Sequence, residues 1–396
     1  MKNNLLPTDI LLPKSNFEAW SCIACDQYTS EPEYWKETSN FVKDAPSALN
    51  IILPEVYLKE DNTNEINKIN DTMKSYLNGD VFNVVENSVV YTKRTLNNGD
   101  TRHGLVGLID LEDYSYEKGA KTPIRATEAT VVDRIPPRVK IRKDAVIEIP
   151  HIMLLIDDPL NTVIEPIAQN TDKMQKLYDF VLMQNAGSIS GYKVTDDMLE
   201  NVNASLNSLS EKSIDGLLYA VGDGNHSLAT AKECYKQGTG SRYALVEVVN
   251  IHDKSLEFEP IYRILFGVQP EKVINDFVDW CGGEYIGADA QKFTCVYGET
   301  EKEISVKPKG ALCVATLQSF LDEYLKGKDV TIDYIHGIES TKTLARHESA
   351  LGFIFSGMEK ADLFPAVSKD GSLPRKTFSM GCADDKRFYL EARKIK

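Results

Sequence analysis

The sequence lacks long apolar segments and is poor in positive charge. No apolar run approaches the roughly 20 residues of a membrane-spanning helix, and the first residues are too weakly apolar for a signal peptide. The 396 residues contain 45 Lys and Arg against 59 Asp and Glu, which gives a net charge of −14. Because phosphate backbones attract basic surfaces, this charge argues against a general nucleic-acid binder. We therefore expect a cytoplasmic protein that binds neither membranes nor nucleic acid, although local basic clusters can still bind a small anion.

Cysteine is scarce, with seven residues scattered along the chain. An odd number at irregular spacing favours reduced thiols over a disulfide framework. Cys22 and Cys25 form an isolated CxxC pair, and no second pair or His pair stands at the spacing of a zinc site. We expect these two residues to pack in the core or line a pocket. A redox dithiol is the alternative.

The common nucleotide-binding signatures are also missing. The sequence contains no GxxxxGK[ST] segment, which excludes an ordinary P-loop. The set of motifs that defines protein kinases is absent as well. Any phosphate chemistry must therefore use another arrangement of residues.

The stretch at 216–235 is the densest in chemistry. Residues 217–221 are apolar and predict a buried strand, and residues 228–233 favour a helix. The turn between them, 222–227, would present free backbone N–H groups and a positive helix end to an anion. Asp223 can act there as a base, Asn225 and His226 as donors, and Ser227 as the N-cap. The alternative is a capped turn with a structural histidine.

Two basic segments could supply further phosphate ligands. Six Lys and Arg fall between residues 125 and 143, where Arg125 is suited to bidentate phosphate contacts. Glu128 in the same segment can hold a metal or take a proton. A later cluster at 370–381 contains Arg375, Lys376 and Thr377. Both segments can instead be solvated basic surfaces.

A third polar segment follows the CxxC pair. Residues 21–32 predict a short strand that runs into a loop, and polar groups at the end of a strand often line a pocket. Asp26 is a second candidate base there, and Gln27, Tyr28 and Thr29 are candidate substrate ligands. A simple capping loop is the alternative.

Periodicity predicts a mixed α/β chain with two domains. Asn97–Asp100 reads as a hairpin turn, residues 157–159 read as a turn rather than a Mg²⁺ site, and Pro136 and Pro137 argue against a long helix. The predicted helices are 33–42, 64–77, 173–184, 196–209, 272–280 and 315–324, and the predicted strands are 81–92, 103–110, 147–156, 243–251, 293–297, 303–307, 330–335 and 386–395.

Four segments together resemble the bacterial domain of unknown function family 1015. They are the D-G-x-H element at 223–226, R-x-T-E-x-T at 125–130, F-x-P-I-Y-R at 258–263 and LPRKTFSMG at 373–381. The family more usually has D-G-H-H-R and F-x-P-I-H-R. Asn225, Ser227 and Tyr262 depart from those patterns and place the chain in a subgroup whose ligand need not be the family's commonest one.

The D-G-x-H element in turn resembles the turn of the ParB/sulfiredoxin superfamily, which includes nucleotide-binding partition proteins and kinases of free L-serine. This resemblance implies a ParB/sulfiredoxin-like catalytic domain at 1–265, with insertions, and a C-terminal α+β lobe at 266–396 that contributes a basic loop to a site between them. It also implies a small-molecule phosphotransferase that phosphorylates L-serine with pyrophosphate, ADP or ATP as donor and Mg²⁺ as cofactor. Because no purine-sized aromatic box is visible, pyrophosphate is a real option. The oligomeric state, monomer or homodimer, stays open.

On this reading the candidate residues divide by role. Asp223, His226 and Asp26 would be catalytic, Gln27, Tyr28 and Thr29 would bind substrate, and Glu128 and Asp223 would hold the metal. The phosphate ligands would be Gly224, Asn225, Ser227, Arg125, Thr127, Thr130, Arg375, Lys376 and Thr377. The alternatives are a phosphatase or nucleotidase with water as acceptor, and a nucleotide-binding switch without catalysis. A sulfiredoxin-like activity is excluded because the turn contains no Cys.

Overall fold

A computed structural model describes residues 4–23, 28, 31–130, 132–381 and 384–396. The chain forms two compact units. Unit 1 contains residues 1–126, 130–256 and 381–396, and unit 2 contains residues 127–129 and 257–380. The expected division at 265/266 differs from these units at both ends, since the strand at 258–266 pairs inside unit 2 and the C-terminal residues return to unit 1.

The described residues form strands and α-helices throughout the chain. The strands are β1 (Thr8–Pro13), β2 (Phe82–Ser88), β3 (Val90–Thr95), β4 (Thr101–Asp110), β5 (Tyr114–Ser115), β6 (Ile124–Ala126), β7 (Ile147–Glu148), β8 (Met153–Ile156), β9 (Gln175–Val181), β10 (Ser188–Lys193), β11 (Tyr219–Asp223), β12 (Tyr243–Asn250), β13 (Phe258–Phe266), β14 (Gln291–Tyr297), β15 (Thr300–Val306), β16 (Thr331–His336), β17 (Ala350–Phe355), β18 (Phe378–Met380) and β19 (Arg393–Lys394). The α-helices are α1 (Phe17–Trp20), α2 (Pro32–Val42), α3 (Thr63–Asn78), α4 (Ile135–Arg142), α5 (Glu165–Ala168), α6 (Asp196–Lys212), α7 (Asn225–Lys236), α8 (Pro270–Cys281), α9 (Cys313–Tyr324), α10 (Ile338–Ala345), α11 (Leu363–Asp370) and α12 (Asp384–Arg387).

Unit 1 is built on a nine-stranded mixed sheet of order β5-β6-β11-β8-β12-β4-β3-β10-β9. Strand β8, the fourth in this order, is buried along its whole length, as the apolar run MLLI requires. The neighbouring β11 is antiparallel to β8, and β12 on the other side is parallel to it. Helix α7 follows β11 directly and buries Leu228 and Ala231 in the core of this sheet, while α4 packs against α7.

Unit 2 has a smaller antiparallel sheet of order β15-β14-β17-β13-β16, and β18 also pairs with β13. Its core is rich in aromatic residues: Phe277 of α8 contacts Phe293, Phe320 and Phe353, with ring centroids 5.0–5.9 Å apart. Such ring pairs add stability beyond the area that they bury. Unit 2 therefore has an independent core of its own.

The mixed α/β class predicted from the sequence is confirmed. The β3–β4 hairpin turns at 96–100 as expected, with Thr95 paired to Thr101. The helix predicted at 173–184 is wrong, because residues 175–181 form the edge strand β9, in which Tyr178 faces the core and its neighbours are more exposed.

Two predicted strands are largely wrong. Residues 386–395 contain a helical turn and only the two-residue β19. Residues 147–156 are divided into β7 and β8 around Pro150, which cannot donate to a ladder. The proline pair at 136–137 lies in the first turn of the eight-residue helix α4, where missing N–H groups cost little.

Candidate functional site

A glycine joins β11 to α7. Gly224 is the N-cap of α7 and has φ +82°, a conformation that favours glycine. A Cβ added there would lie 3.0 Å from the Cα of Ile152 and 3.1 Å from the carbonyl oxygen of His151. The turn thus needs glycine for both its dihedral angle and its contact with the chain entering β8. The helix begins at Asn225, three residues before the predicted start, so the N-cap is Gly224 and the expectation for Ser227 is wrong.

The polar groups of the turn have distinct surroundings. The Oδ1 atom of Asn225 is buried and has no hydrogen-bond partner in the part of the chain that the structure describes. The Ser227 hydroxyl shares a hydrogen bond with Nε2 of His151. The carbonyl of His226 accepts a hydrogen bond of 2.7 Å from the Thr230 hydroxyl. Asp223 ends β11 and is half-buried. The first turn of α7 therefore carries a buried acceptor beside a serine–histidine pair.

His151 is a candidate that the sequence did not reveal. It stands after Pro150 in an otherwise apolar segment, and its partner Ser227 is 76 residues away in the chain. The one available signal was the Pro-His interruption of the run at 147–156. Because the contact is long-range, no local pattern predicts it.

A cavity of about 140 Å³ borders Ser227 and His151 in unit 1. Most of its wall is apolar. The apolar lining includes Ile51, Ile52, Leu53, Ile141, Ile147 and Ile149, and the polar lining includes Arg138, Arg142, His151, Ser227 and Thr230. An apolar pocket with a few convergent polar groups is the usual form of a small-molecule site.

The two arginines at the cavity are ion-paired. Arg138 pairs with Glu55, and Arg142 pairs with Glu148. Glu148 also accepts a hydrogen bond of 2.5 Å from Nε of Arg393 and one of 3.0 Å from the backbone N–H of Leu245. Burial would raise the pKa of the Glu148 carboxyl, but Arg142 and Arg393 hold its pKa below the ordinary value. The cavity wall is thus fixed by charge-assisted bonds.

Arg125 lies in β6 and is buried, with 2% of its surface exposed. Its Nε donates to the carbonyl of Thr122 at 2.8 Å and its Nη2 to the carbonyl of Asp215 at 2.5 Å. Burial lowers the pKa of its guanidinium. Asp215 has a positive φ of 55°, so Arg125 holds a strained turn. This structural role was not predicted.

Two predicted segments meet inside unit 2. The backbone N–H of Leu373 donates to the carbonyl of Thr127 at 2.7 Å, and Glu128 forms a bridge with Leu373. The loop that carries Arg375 and Lys376 thus begins beside the segment that carries Thr127 and Glu128. These two segments are therefore joined by backbone contacts within this unit.

Arg263 of β13 fixes that loop. It is fully buried, and its guanidinium donates to the carbonyls of Arg375 at 2.9 Å and Lys376 at 2.7 Å. Its Nε donates to Gln318 at 3.0 Å. Burial lowers the pKa of Arg263 to about 10. Arg263 belongs to the F-x-P-I-Y-R segment, and its role as an internal brace for the loop was not predicted.

The other residues that the sequence singles out lie in different surroundings. The hydroxyl of Thr377 donates to the carbonyl of Pro374 at 2.7 Å, and the hydroxyl of Thr130 is buried without a partner. Tyr28 stacks on Tyr34 with ring centroids 3.6 Å apart. Cys22 is buried, which raises the pKa of its thiol. Cys25, Asp26, Gln27 and Thr29 lie outside the described residues.

The expected metal ligands do not form a recognisable site. Across 4–23, 28, 31–130, 132–381 and 384–396 there is no group of three or more His, Cys, Asp or Glu side chains that could hold an ion. Asp223 belongs to unit 1 and Glu128 to unit 2, and no chemical step is assigned to a protein-bound metal. In the same part of the chain, no helix is long and apolar enough to cross a membrane.

A second polar cluster of unit 1 is almost fully buried across β12, β4 and β3. Glu247 accepts hydrogen bonds from Thr92 at 3.0 Å, from Tyr389 at 2.7 Å and from Arg102 at 3.5 Å. Arg102 and Glu247 are 2% and 1% exposed. Burial would lower the pKa of Arg102, but the charge of Glu247 holds that pKa above the ordinary value. Removing one partner of such a buried pair strongly destabilises the fold, because the other charge is left buried without a partner.

Comparisons with known proteins identify the family. A search of curated proteins finds no match. Among solved structures, a free serine kinase in complex with AMP is similar over 74% of this chain and 91% of its own, at 13% identity and a TM-score of 0.39. A conserved hypothetical protein from Pyrococcus furiosus is similar over 74% and 95%, at 14% identity and a TM-score of 0.38. SbnI with a C-terminal truncation from Staphylococcus aureus is similar over 70% and 82%, at 12% identity and a TM-score of 0.37.

Those identities and TM-scores are too low to assign an activity. The family model described as protein of unknown function DUF1015 matches residues 5–331. This span covers well over half of the chain and contains three of the four segments that carried the resemblance. The chain belongs to the DUF1015 family of proteins of unknown function.

Proposed function

We propose that this protein is a phosphotransferase that moves a phosphoryl group from a nucleotide to the hydroxyl of free L-serine. The observation that supports this most is the first turn of α7. There the N-cap Gly224 is followed by Asn225, whose buried Oδ1 has no hydrogen-bond partner among the described residues, and the Ser227–His151 pair lines an apolar cavity. Helix N-termini bind phosphate through backbone N–H groups and the helix dipole.

The transfer needs positioning and charge stabilisation more than covalent chemistry. In the proposed step the bond between the donor's terminal phosphorus and its bridging oxygen breaks, and a new bond forms from that phosphorus to the serine hydroxyl oxygen. The hydroxyl proton passes to the Asp223 carboxylate, which stands at the end of β11. The backbone N–H groups of Gly224, Asn225 and His226 and the Ser227 hydroxyl would stabilise the phosphoryl oxygens.

The apolar cavity supports a nucleotide donor over pyrophosphate. Its isoleucine and leucine side chains offer no partner for a bare polyanion, but they can pack against a nucleobase. ADP and ATP are therefore the proposed donors. The catalytic role of Asp26, the substrate roles of Gln27, Tyr28 and Thr29, and the phosphate roles of Arg125, Thr127, Thr130, Arg375, Lys376 and Thr377 stay predictions, as does their convergence on one site.

The pair Ser227–His151 provides the test of this site. Purified protein is incubated with L-serine, MgCl₂ and either ADP or ATP, and O-phosphoserine is measured by mass spectrometry. Ser227→Ala and His151→Asn are each expected to lower the initial rate about 100-fold, the effect of a small misplacement at a reacting centre. His252→Asn is the matched control, because His252 bonds to Asp157 at 2.7 Å and does not line the cavity.

Three outcomes separate the alternatives. O-phosphoserine that depends on Ser227 and His151, but not on His252, supports the proposal. Donor hydrolysis at the same rate with and without serine would replace it with a phosphatase or nucleotidase at the same turn. Nucleotide binding by calorimetry without any turnover would replace it with a binding switch.

A further inference from the structure

A cavity of about 340 Å³ is lined by residues of unit 2, and none of its lining residues belongs to unit 1. Helix α9 begins at its wall. The N-cap residue of α9 is Leu312, whose side chain cannot accept a hydrogen bond, and the first turn carries no acidic residue. Leucine is a poor N-cap, and the first N–H groups of a helix need acceptors. Within the described residues, no side chain caps this helix end.

The backbone of the loop before α9 is fixed by side-chain hydrogen bonds. The buried hydroxyl of Thr316 accepts the backbone N–H groups of Lys309 and Gly310, both at 3.0 Å. The Asp370 carboxylate accepts the N–H of Ala311 at 2.8 Å. These bonds fix the backbone that leads into the uncapped helix end. The cavity wall is therefore held in place before any ligand arrives.

Gln291 supplies an independent sign of a ligand. It is 8% exposed and lines the cavity, and its Nε2 donates to the carbonyl of Gly310 at 3.1 Å. Its Oε1 is buried and has no partner. Leaving a buried acceptor unpaired costs about 1–3 kcal/mol, so this oxygen requires a donor that the described residues do not supply.

Charges of both signs border the cavity. The Lys369 ammonium lies in its lining and forms no ion pair within the part of the chain that the structure describes. The Asp289 carboxylate accepts one hydrogen bond of 2.9 Å from Tyr285 and has further capacity to accept. A simple anion would suit the helix end and Lys369, but it would leave Oε1 of Gln291 without a donor and would face the Asp289 carboxylate. A simple cation would leave the helix end without an acceptor.

We propose that this cavity binds a free α-amino acid, with the carboxylate at the N-terminus of α9 and Lys369 and the ammonium group facing Gln291 and Asp289. This site shares no residue with the turn between β11 and α7 of unit 1. Because it is tested by binding without turnover, its failure and the failure of the proposed phosphotransferase are distinguishable.

The full-length protein is titrated by calorimetry with glycine, L-serine and L-aspartate, with inorganic phosphate as the anion alone and ethanolamine as the cation alone. We expect at least one amino acid to bind at least tenfold more tightly than phosphate and ethanolamine. Lys369→Ala and Leu312→Asp are expected to weaken that binding at least tenfold. The Asp variant supplies the missing N-cap and repels the carboxylate. Lys326→Ala is the control, since Lys326 is an exposed lysine of unit 2 outside the cavity.

The alkylation rate of Cys313 gives a second measurement, which tests whether the ligand binds in this cavity. It is the first residue of α9 and lines the cavity. The rate of its carbamidomethylation by iodoacetamide at pH 9, in which the thiolate displaces iodide, is followed by mass spectrometry of its peptide. The tightest-binding amino acid is expected to slow this rate at least fivefold in the wild type and not in Leu312→Asp, whose thermal midpoint checks that it is folded. Binding that leaves the Cys313 rate unchanged, equal binding of phosphate, or no binding of any amino acid would each overturn the proposal.

Discussion

Replacement of Gly224 by alanine tests the geometry on which the site depends. An L-residue in the left-handed conformation costs about 1–2 kcal/mol, and Gly224 has φ +82°. The added Cβ would lie 3.0–3.1 Å from backbone and side-chain atoms of His151 and Ile152, and overpacking of this kind costs about 1–3 kcal/mol. Together we expect Gly224→Ala to lower the free energy of unfolding of unit 1 by about 2–5 kcal/mol.

Gly238 offers the matched control. It follows the other end of α7 with φ +70°, and a Cβ there would meet nothing within 4 Å. Gly238→Ala should therefore cost only the conformational term of about 1–2 kcal/mol. The difference between the two variants isolates the close approach of the turn to β8.

Urea unfolding followed by tryptophan fluorescence measures this difference. Trp20 and Trp35 are buried in unit 1, whereas Trp280 lies in α8 of unit 2. A Trp280→Phe background makes the signal report unit 1 alone. If Gly224→Ala proves no less stable than Gly238→Ala, the described contact between the turn and the His151 segment is wrong, and with it the pairing of Ser227 with His151.

Two further predictions concern buried charges of unit 1. Glu247→Ala should lower the free energy of unfolding by about 3–5 kcal/mol, because Arg102 would stay buried without its partner. Lys176→Ala breaks an exposed ion pair with Asp179 and should change the free energy of unfolding little. Similar urea midpoints for Glu247→Ala and Lys176→Ala would contradict the stabilising role of the buried Arg102–Glu247 pair. The pKa of Glu148 is lowered in the folded state, so its stabilising effect is present above its ordinary pKa and is lost as the pH falls through the lower folded-state value. Between pH 6 and pH 3 the wild type should lose more stability than Glu148→Gln. If the free energy of unfolding depends on pH in the same way for both proteins, the lowered pKa of Glu148 is refuted.

The parts of the fold that the sequence predicted depend on local patterns. The segment at 217–233 was recognisable as a strand, turn and helix because apolar residues, glycines and helix formers follow one another directly. The start of the helix was misplaced because Asn225 and His226 have low helix propensity, although both lie in the first turn of α7. The edge strand β9 was missed because its Lys, Asp and Gln residues suit a solvated helix equally well.

The parts that the sequence did not predict depend on contacts between distant residues. Ser227 and His151 are 76 residues apart, and Arg263 reaches carbonyls more than 110 residues away. No local period encodes such pairs. The orphan oxygen of Gln291 is likewise visible only when the loop at 308–312 is in place. The turn between β11 and α7 was predictable as a local motif, and the histidine partner of Ser227 was not.

Phosphoryl transfer from a nucleotide to serine is proposed to take place at the first turn of α7. The most direct measurement is a ³¹P NMR time course of the protein with L-serine and MgCl₂, with ATP, ADP and pyrophosphate in separate samples. We predict a new phosphomonoester signal with ATP or ADP, absent without serine and lost in Ser227→Ala. Inorganic phosphate as the sole product, or an unchanged phosphomonoester signal in Ser227→Ala, would contradict the account.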